Sequence, residues 1–277
     1  MLASAGMGTV VPSVPIRKAL LGLEVPPHLA ELRVPALDGT SIHLWHASPQ
    51  KHQSLLPHFS TLLSADEADR RARFHFEADR GDFTFARGML RTLLAAYLEA
   101  DPREVRFRYS EYGKPSLAAP DAEPDLRFNL SHTQGAVVLA ICRQGAIGVD
   151  IERVREDFNV QEIAARFFSP AEQLALVSLR EAEQRHAFFH CWTRKEAFLK
   201  ARGHGLSFPL DRFDVSIGSG ETEVGLTTRP NPAEAQRWQI LQAPAPDGCV
   251  AAVAVANSPR TVDGMAKETV SRELCRL

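Results

Sequence analysis

Gly148-Val149-Asp150-Ile151-Glu152, followed after a long helical interval by Trp192-Thr193-Arg194-Lys195-Glu196-Ala197-Phe198-Leu199-Lys200, decides how this 277-residue chain is read. The first stretch alternates like a strand, and side chains at i and i+2 of a strand share a side. Asp150 and Glu152 therefore point the same way, while Ile147, Val149 and Ile151 fill the opposite face. In the second stretch Glu196 and Lys200 lie one helical turn apart. Three carboxylates suit a hard divalent cation and an ammonium suits a phosphate, so together the stretches point to metal-assisted chemistry on a phosphorylated ligand. Singly, each has a plainer reading. Asp150 and Glu152 fit an edge strand with a solvated acidic face as well as they fit a metal site. Glu196 and Lys200 fit a solvated i,i+4 pair worth a few tenths of a kcal/mol. Their position argues for more: Phe188, Trp192 and Leu199 form the apolar stripe, Glu196 lies at its margin and Lys200 just beyond.

Working outward, Ser169-Pro170-Ala171-Glu172 has the spacing of a capping box with proline at the first helical position. It precedes a helix over residues 182–202, which Gly203-His204-Gly205 stops. Upstream of Gly148, residues 136–142 read as a buried strand, joined to it by the turn Arg143-Gln144-Gly145. Phe128-Asn129-Leu130-Ser131-His132 is a strand entering a polar turn, Gly113-Lys114-Pro115 is a turn, and residues 105–109 alternate as a strand. Residues 85–100 form a helix with Met89, Leu93, Ala96 and Tyr97 at helical spacing, ended by Asp101-Pro102. Ser64 caps another helix, and residues 42–46 alternate as a strand. The arginines from Arg70 to Arg87 are mixed with acids and read mostly as a solvated helix face. Downstream, strands are predicted over 212–217, 238–242 and 250–255. Helix followed by strands, twice, gives an α+β fold of two similar halves. The expected boundaries are an N-terminal extension over 1–40, halves over 41–145 and 146–256, and a tail over 257–277.

Composition sets outer limits. An apolar fraction of 44%, a charged fraction of 24% and a net charge of −2 are those of an ordinary globular chain with no bulk attraction to nucleic acid or membrane. Cys142, Cys191, Cys249 and Cys275 are scattered, which predicts neither a disulfide framework nor a zinc site and fits a reducing cytoplasm. No apolar run spans a bilayer, and the basic pair Arg17-Lys18 follows the apolar N-terminal part, unlike a secretory signal.

Taken in order, Arg73-Phe74, Gly113-Lys114-Pro115, Phe128-Asn129-Leu130-Ser131-His132, the Gly148–Glu152 stretch, Arg166-Phe167-Phe168-Ser169 and Trp192-x-x-Lys195-Glu196-Ala197-Phe198-Leu199-Lys200 form one series. It resembles the 4′-phosphopantetheinyl transferases of the surfactin-synthetase-activating type, over residues 42–256. The resemblance implies that fold, two α+β halves in a pseudo-two-fold relation with the active site in the cleft between them, in a cytoplasmic monomer. It implies transfer of the phosphopantetheine arm of coenzyme A to a serine of an apo acyl or peptidyl carrier protein, with release of adenosine 3′,5′-bisphosphate. Asp150, Glu152 and Glu196 would hold Mg²⁺, with Mn²⁺ as the alternative; Asp150, Glu196 and Lys200 would be catalytic. Glu196 or a metal-bound water would accept the serine proton. Lys200, Ser131 and His132 would contact coenzyme A phosphates, while Arg70, Gly113, Lys114 and Pro115 would hold the nucleotide end. Glu67 stands where some members carry lysine. Two other readings use the same groups: a non-catalytic coenzyme A or nucleotide-binding module, and a metal-dependent phosphohydrolase that needs no protein acceptor.

Overall fold

Each half opens on a strand and carries one long helix. The computed structural model describes residues 17–118, 125–203, 208–218 and 223–257. The first half comprises β1 (Ala19–Glu24), β2 (Ser41–Ala47), α1 (Leu56–Ser60), α2 (Ala65–Ala72), α3 (Glu77–Leu98), the short pair β3 (Phe107–Tyr109) and β4 (Pro115–Leu117), then β5 (Leu126–Thr133) and β6 (Ala136–Arg143). The second comprises β7 (Ile147–Arg153), α4 (Val160–Phe167), α5 (Pro170–Val177), α6 (Glu181–Arg202), β8 (Phe213–Val215), β9 (Glu223–Val224), β10 (Leu226–Thr228), β11 (Trp238–Ala243) and β12 (Cys249–Ala256). One sheet runs β1-β2-β6-β5 and the other β7-β12-β11-β9. In the first sheet β6 lies between β2 and β5, in the second β12 lies between β7 and β11, and in each a 22-residue helix lies on the crossover. The expected α+β fold of two similar halves is therefore present, with one correction to the outline: a strand, not a helix, opens each half.

Alternation along β6 explains the layering. Val137, Leu139 and Ile141 join the core under α3, whereas Val138, Ala140 and Cys142 face the second sheet. On that sheet Ile147, Val149, Ile151, Ala251, Val253 and Val255 answer them, while Val250, Ala252 and Ala254 pack under α6. The order of layers is helix, sheet, sheet, helix, with three apolar clusters between them. β6 from Ala136 to Cys142 and β12 from Cys249 to Ala256 are apolar throughout because both of their faces are covered.

Local signals act where the residue types predict. Ser64 with Glu67 and Ser169 with Glu172 form capping boxes at the starts of α2 and α5, and Gly203, at φ +77°, ends α6. Helix α3 starts eight residues before the apolar periodicity at Phe85, its first turn being polar with Glu77 and Asp79. Residues 17–40 are not an extension. β1 pairs in parallel with β2, and the backbone of buried Lys18 exchanges hydrogen bonds with the side-chain amide of Gln239 on β11 (2.9 and 3.2 Å). Residues 1–16 and 258–277, with Cys275 and the expected tail from residue 258 on, lie outside the described residues, as do His204 and Gly205. Cys142, Cys191 and Cys249 are free thiols.

Candidate active site

Gly148, Asp150 and Glu152 share the face of β7 that meets α6. Glycine is required at 148 because a Cβ there would lie 2.1 Å from the Ala197 carbonyl oxygen and 2.3 Å from the Ala201 nitrogen, both backbone atoms. With hydrogen alone at that position, the helix lies directly on the strand. Glu196 and Lys200 are thereby brought beside Asp150. The open edge of β7 is closed by β5 of the first half. Asn129 Oδ1 accepts the Val149 N–H (2.8 Å), Ser131 Oγ donates to Asp150 Oδ1 (3.0 Å), and Thr133 Oγ1 accepts the Arg153 N–H (3.2 Å). β7 is an edge strand within its own sheet, as the plainer reading had it, but its acidic face is not solvated: Asp150 is 4% exposed.

Lys200 does not stand as a surface partner of Glu196. Its ammonium reaches across to Asp150 Oδ1 (2.6 Å) and donates to Ser131 Oγ (2.9 Å), closing a three-membered hydrogen-bonded cluster across the seam of the two halves. Around it, Glu196 is pushed up to about 7, first by burial, then by the Asp150 and Glu152 charges, with Lys200 opposing. Glu152 is raised by burial and by Asp150, against the pull of Lys200, Arg155 and a hydrogen bond from Thr133. His132 is held below its usual range by desolvation and by Lys200, with Asp82 and Asp150 opposing. It is thus neutral near pH 7.

This donor set fits a hard divalent cation. Asp150 raises the proton affinity of Glu152 and Glu196, and Asp150 Oδ2 and Glu196 Oε1 are buried with no hydrogen-bond partner. Among the described residues, no three His, Cys, Asp or Glu side chains are gathered at ligating distance as they stand. The site offers oxygens and not a closed cage, the arrangement suited to Mg²⁺, which keeps waters and takes carboxylates together with substrate phosphate.

The groups expected at the nucleotide end separate into two places. Arg70 and Gly113 line a cavity of about 230 Å³ together with Phe83, Arg87 and Tyr109; Arg70 lies over the Phe83 ring at 5.5 Å. Lys114 and Pro115 instead line a different cavity of about 500 Å³, walled by Arg108, Arg127 and Ile147. The ammonium of Lys114 is directed to backbone carbonyls of Ile147 (2.8 Å) and Lys200 (2.5 Å).

Three features were not legible from motif spacing. Glu67 is built into the scaffold: it is 2% exposed, caps α2 through the Ser64 N–H (3.0 Å), and is paired with Arg87 and with Arg91 Nε (2.7 Å). Arg87 is correspondingly buried rather than part of a solvated face. Lys195, next to Glu196 and 0% exposed, pairs with Glu172 (2.6 Å) and donates to the Phe213 carbonyl (2.7 Å). The capping-box spacing of Ser169 and Glu172 was visible, but its second use as the counter-ion of Lys195 was not. Asn129 was present in a quoted motif with nothing to mark it as the acceptor that holds β7.

Comparison with known proteins accords with this division. A family model described as "4′-phosphopantetheinyl transferase, N-terminal" matches residues 43–144, and one described as "4′-phosphopantetheinyl transferase superfamily" matches residues 146–254. They meet between β6 and β7. The chain is 38% identical to the 4′-phosphopantetheinyl transferase HetI of Nostoc sp., over 84% of this chain and 93% of that one. It is 33% identical to the 4′-phosphopantetheinyl transferase Sfp of Bacillus subtilis, over 66% of this chain and 79% of that one. With both halves matched in order and the Nostoc relative similar over most of its length, the chain belongs to the 4′-phosphopantetheinyl transferases of the Sfp type.

Proposed function

We propose that this transferase moves the 4′-phosphopantetheine arm of coenzyme A onto a serine hydroxyl of an apo acyl or peptidyl carrier protein and releases adenosine 3′,5′-bisphosphate. The observation that carries the reading is the Ser131–Asp150–Lys200 cluster with Glu152 and Glu196 beside it, one ammonium among three carboxylates at the seam of the halves. Asp150, Glu152 and Glu196 would hold Mg²⁺. When bound, the ion supplies charge neutralisation on the pyrophosphate.

The chain's own groups do the rest. Lys200, already at the cluster, offers its ammonium to the phosphate oxygens as charge develops on them. The neutral His132 ring would donate to phosphate at the mouth of the site, and Ser131 Oγ would do so by turning its one proton from Asp150. Glu196, which burial and the Asp150 charge make more basic than an ordinary carboxylate in the cation-free site, or a metal-bound water, would accept the serine proton. Arg70 and the Gly113 turn would face the nucleotide from the 230 Å³ cavity. No helix among the described residues is long and apolar enough to cross a membrane. The protein would act as a cytoplasmic monomer, since one chain supplies both sides of the seam. The test is intact-mass analysis of an apo carrier protein incubated with the chain, coenzyme A and Mg²⁺, with EDTA as control. A gain of one phosphopantetheine arm, lost with EDTA, is expected; hydrolysed coenzyme A with an unchanged carrier would contradict the reading.

A further inference from the structure

Lys114 sits at the rim of the first half, yet its side chain ends in the second. Three N–H groups are all that an ammonium can donate. Those of Lys114 meet the carbonyl oxygens of Ile147 (2.8 Å), Lys200 (2.5 Å) and Ala201 (3.5 Å). Ile147 opens β7, three residues before Asp150; Lys200 and Ala201 belong to the last turn of α6. A helix C-terminus leaves its final carbonyls without intrahelical partners and carries partial negative charge, which a cation stabilises. At α6 the Leu199 carbonyl takes the Gly203 N–H (3.0 Å), and Lys114 takes the next two. The lysine is itself held by a tight turn: the Gly113 N–H donates to the Ser110 carbonyl (2.9 Å), and the Ser110 N–H to the Lys114 carbonyl (3.0 Å).

We infer that Lys114 is a positioning residue for the transfer: by capping α6 against the start of β7 its ammonium sets where Lys200 and Glu196 stand relative to Asp150, and is not spent on a phosphate. No donor of its ammonium is left for a phosphate. It lines a different cavity from Arg70 and Gly113. Its effect passes through backbone atoms of the two segments whose side chains form the cluster. Burial lowers Lys114 to about 8, so the cation is retained at neutral pH, where its acceptors satisfy it.

This inference rests on the transferase reading for its kinetic arm and on geometry alone for its second arm. The Lys114→Met variant should lose about tenfold to a hundredfold in kcat, the scale of a misplacement near 1 Å. The loss should fall mainly on kcat, with KM for coenzyme A rising no more than in Lys200→Ala, and Lys114→Arg, which keeps donors, should recover part of kcat. A KM raised about tenfold with kcat retained would make Lys114 a nucleotide contact and overturn the inference, as would unchanged kinetics. Hydrogen exchange of the full chain supplies the second arm: the peptide covering 196–203 should exchange faster in Lys114→Met while α3 and β6 keep their protection. Unchanged exchange there would equally overturn it. If wild-type protein transfers no arm, the transferase reading fails and the exchange arm still decides this one. Should Lys114→Met not fold, Lys114→Gln, with two amide donors, carries both comparisons.

Discussion

Replacing Gly148 with alanine probes the link between packing and chemistry. The added Cβ would stand 2.1 Å from the Ala197 carbonyl oxygen and 2.3 Å from the Ala201 nitrogen. Both are helix backbone, so no side-chain rotamer relieves the clash. An ordinary contact needs the helix to retreat by about 1 Å, and overpacking of this kind costs about 1–3 kcal/mol. At the size of this chain that is a fall in Tm of about 2–10 °C. The same retreat would carry Lys200 from 2.6 Å to about 3.6 Å from Asp150, beyond hydrogen-bonding range, and would draw Glu196 away with it. A displacement of about 1 Å in a positioned group can cost about a hundredfold in rate. Thermal unfolding and carrier-loading kinetics on the same preparation check both numbers. A Gly148→Ala protein with unchanged Tm and transfer within about twofold of wild type would refute the claim that close approach of α6 to β7 builds the site.

Further outcomes follow from individual contacts. Lys195→Met leaves Glu172 as a buried carboxylate without its cation, and stability measured by urea unfolding should fall by about 3–5 kcal/mol, with Glu172→Leu in the same background restoring part of it. A loss under about 1 kcal/mol would mean the pair is not the anchor of α6. Lys200→Ala removes the cation nearest Asp150 and should both weaken coenzyme A binding and slow transfer; unchanged kinetics would reduce Lys200 to a structural partner. Without divalent cation, Glu196 keeps its proton to about pH 7 when folded but only to 4.5 when unfolded. The folded state thus binds more protons across that window, and its contribution to stability declines as pH rises from 4.5 to 7. The difference in Tm between wild type and Glu196→Gln, measured in EDTA, should fall over that range; a flat difference would show that Glu196 ionises normally.

Much of the fold was legible because its signals are local. Period-two alternation at Gly148–Glu152, the continuous apolar run of β6 and the capping boxes at Ser64 and Ser169 each depend on neighbours within a few positions. β1 was missed for the opposite reason: what orders Lys18 is Gln239, 221 positions away, and no pattern within residues 17–24 announces it. The acidic face of β7 with Glu196 and Lys200 was readable as chemistry from residue types and spacing. Its partners were not. Lys200 meets Asp150 rather than its i,i+4 neighbour because tertiary approach through Gly148 brings the buried Asp150 carboxylate within its reach. Glu67 stood out only as a position where some members carry lysine, whereas its burial between Arg87 and Arg91 makes it part of the scaffold. Lys114 was expected at the nucleotide end, and its side-chain donors go to carbonyls across the seam. In each case the residue type was visible and its partner lay on a distant segment.

The most direct test of the central claim is transfer by Asp150→Ala. Asp150 Oδ1 ties Lys200 and Ser131 together, and its Oδ2 is the unpartnered oxygen offered to the cation. Because Val149 and Ile151 hold β7 through its other face, the variant should remain folded by thermal unfolding. Intact-mass analysis should then show no phosphopantetheine on the carrier under conditions where wild type loads it fully. A folded Asp150→Ala protein that loads the carrier at the wild-type rate would contradict the account.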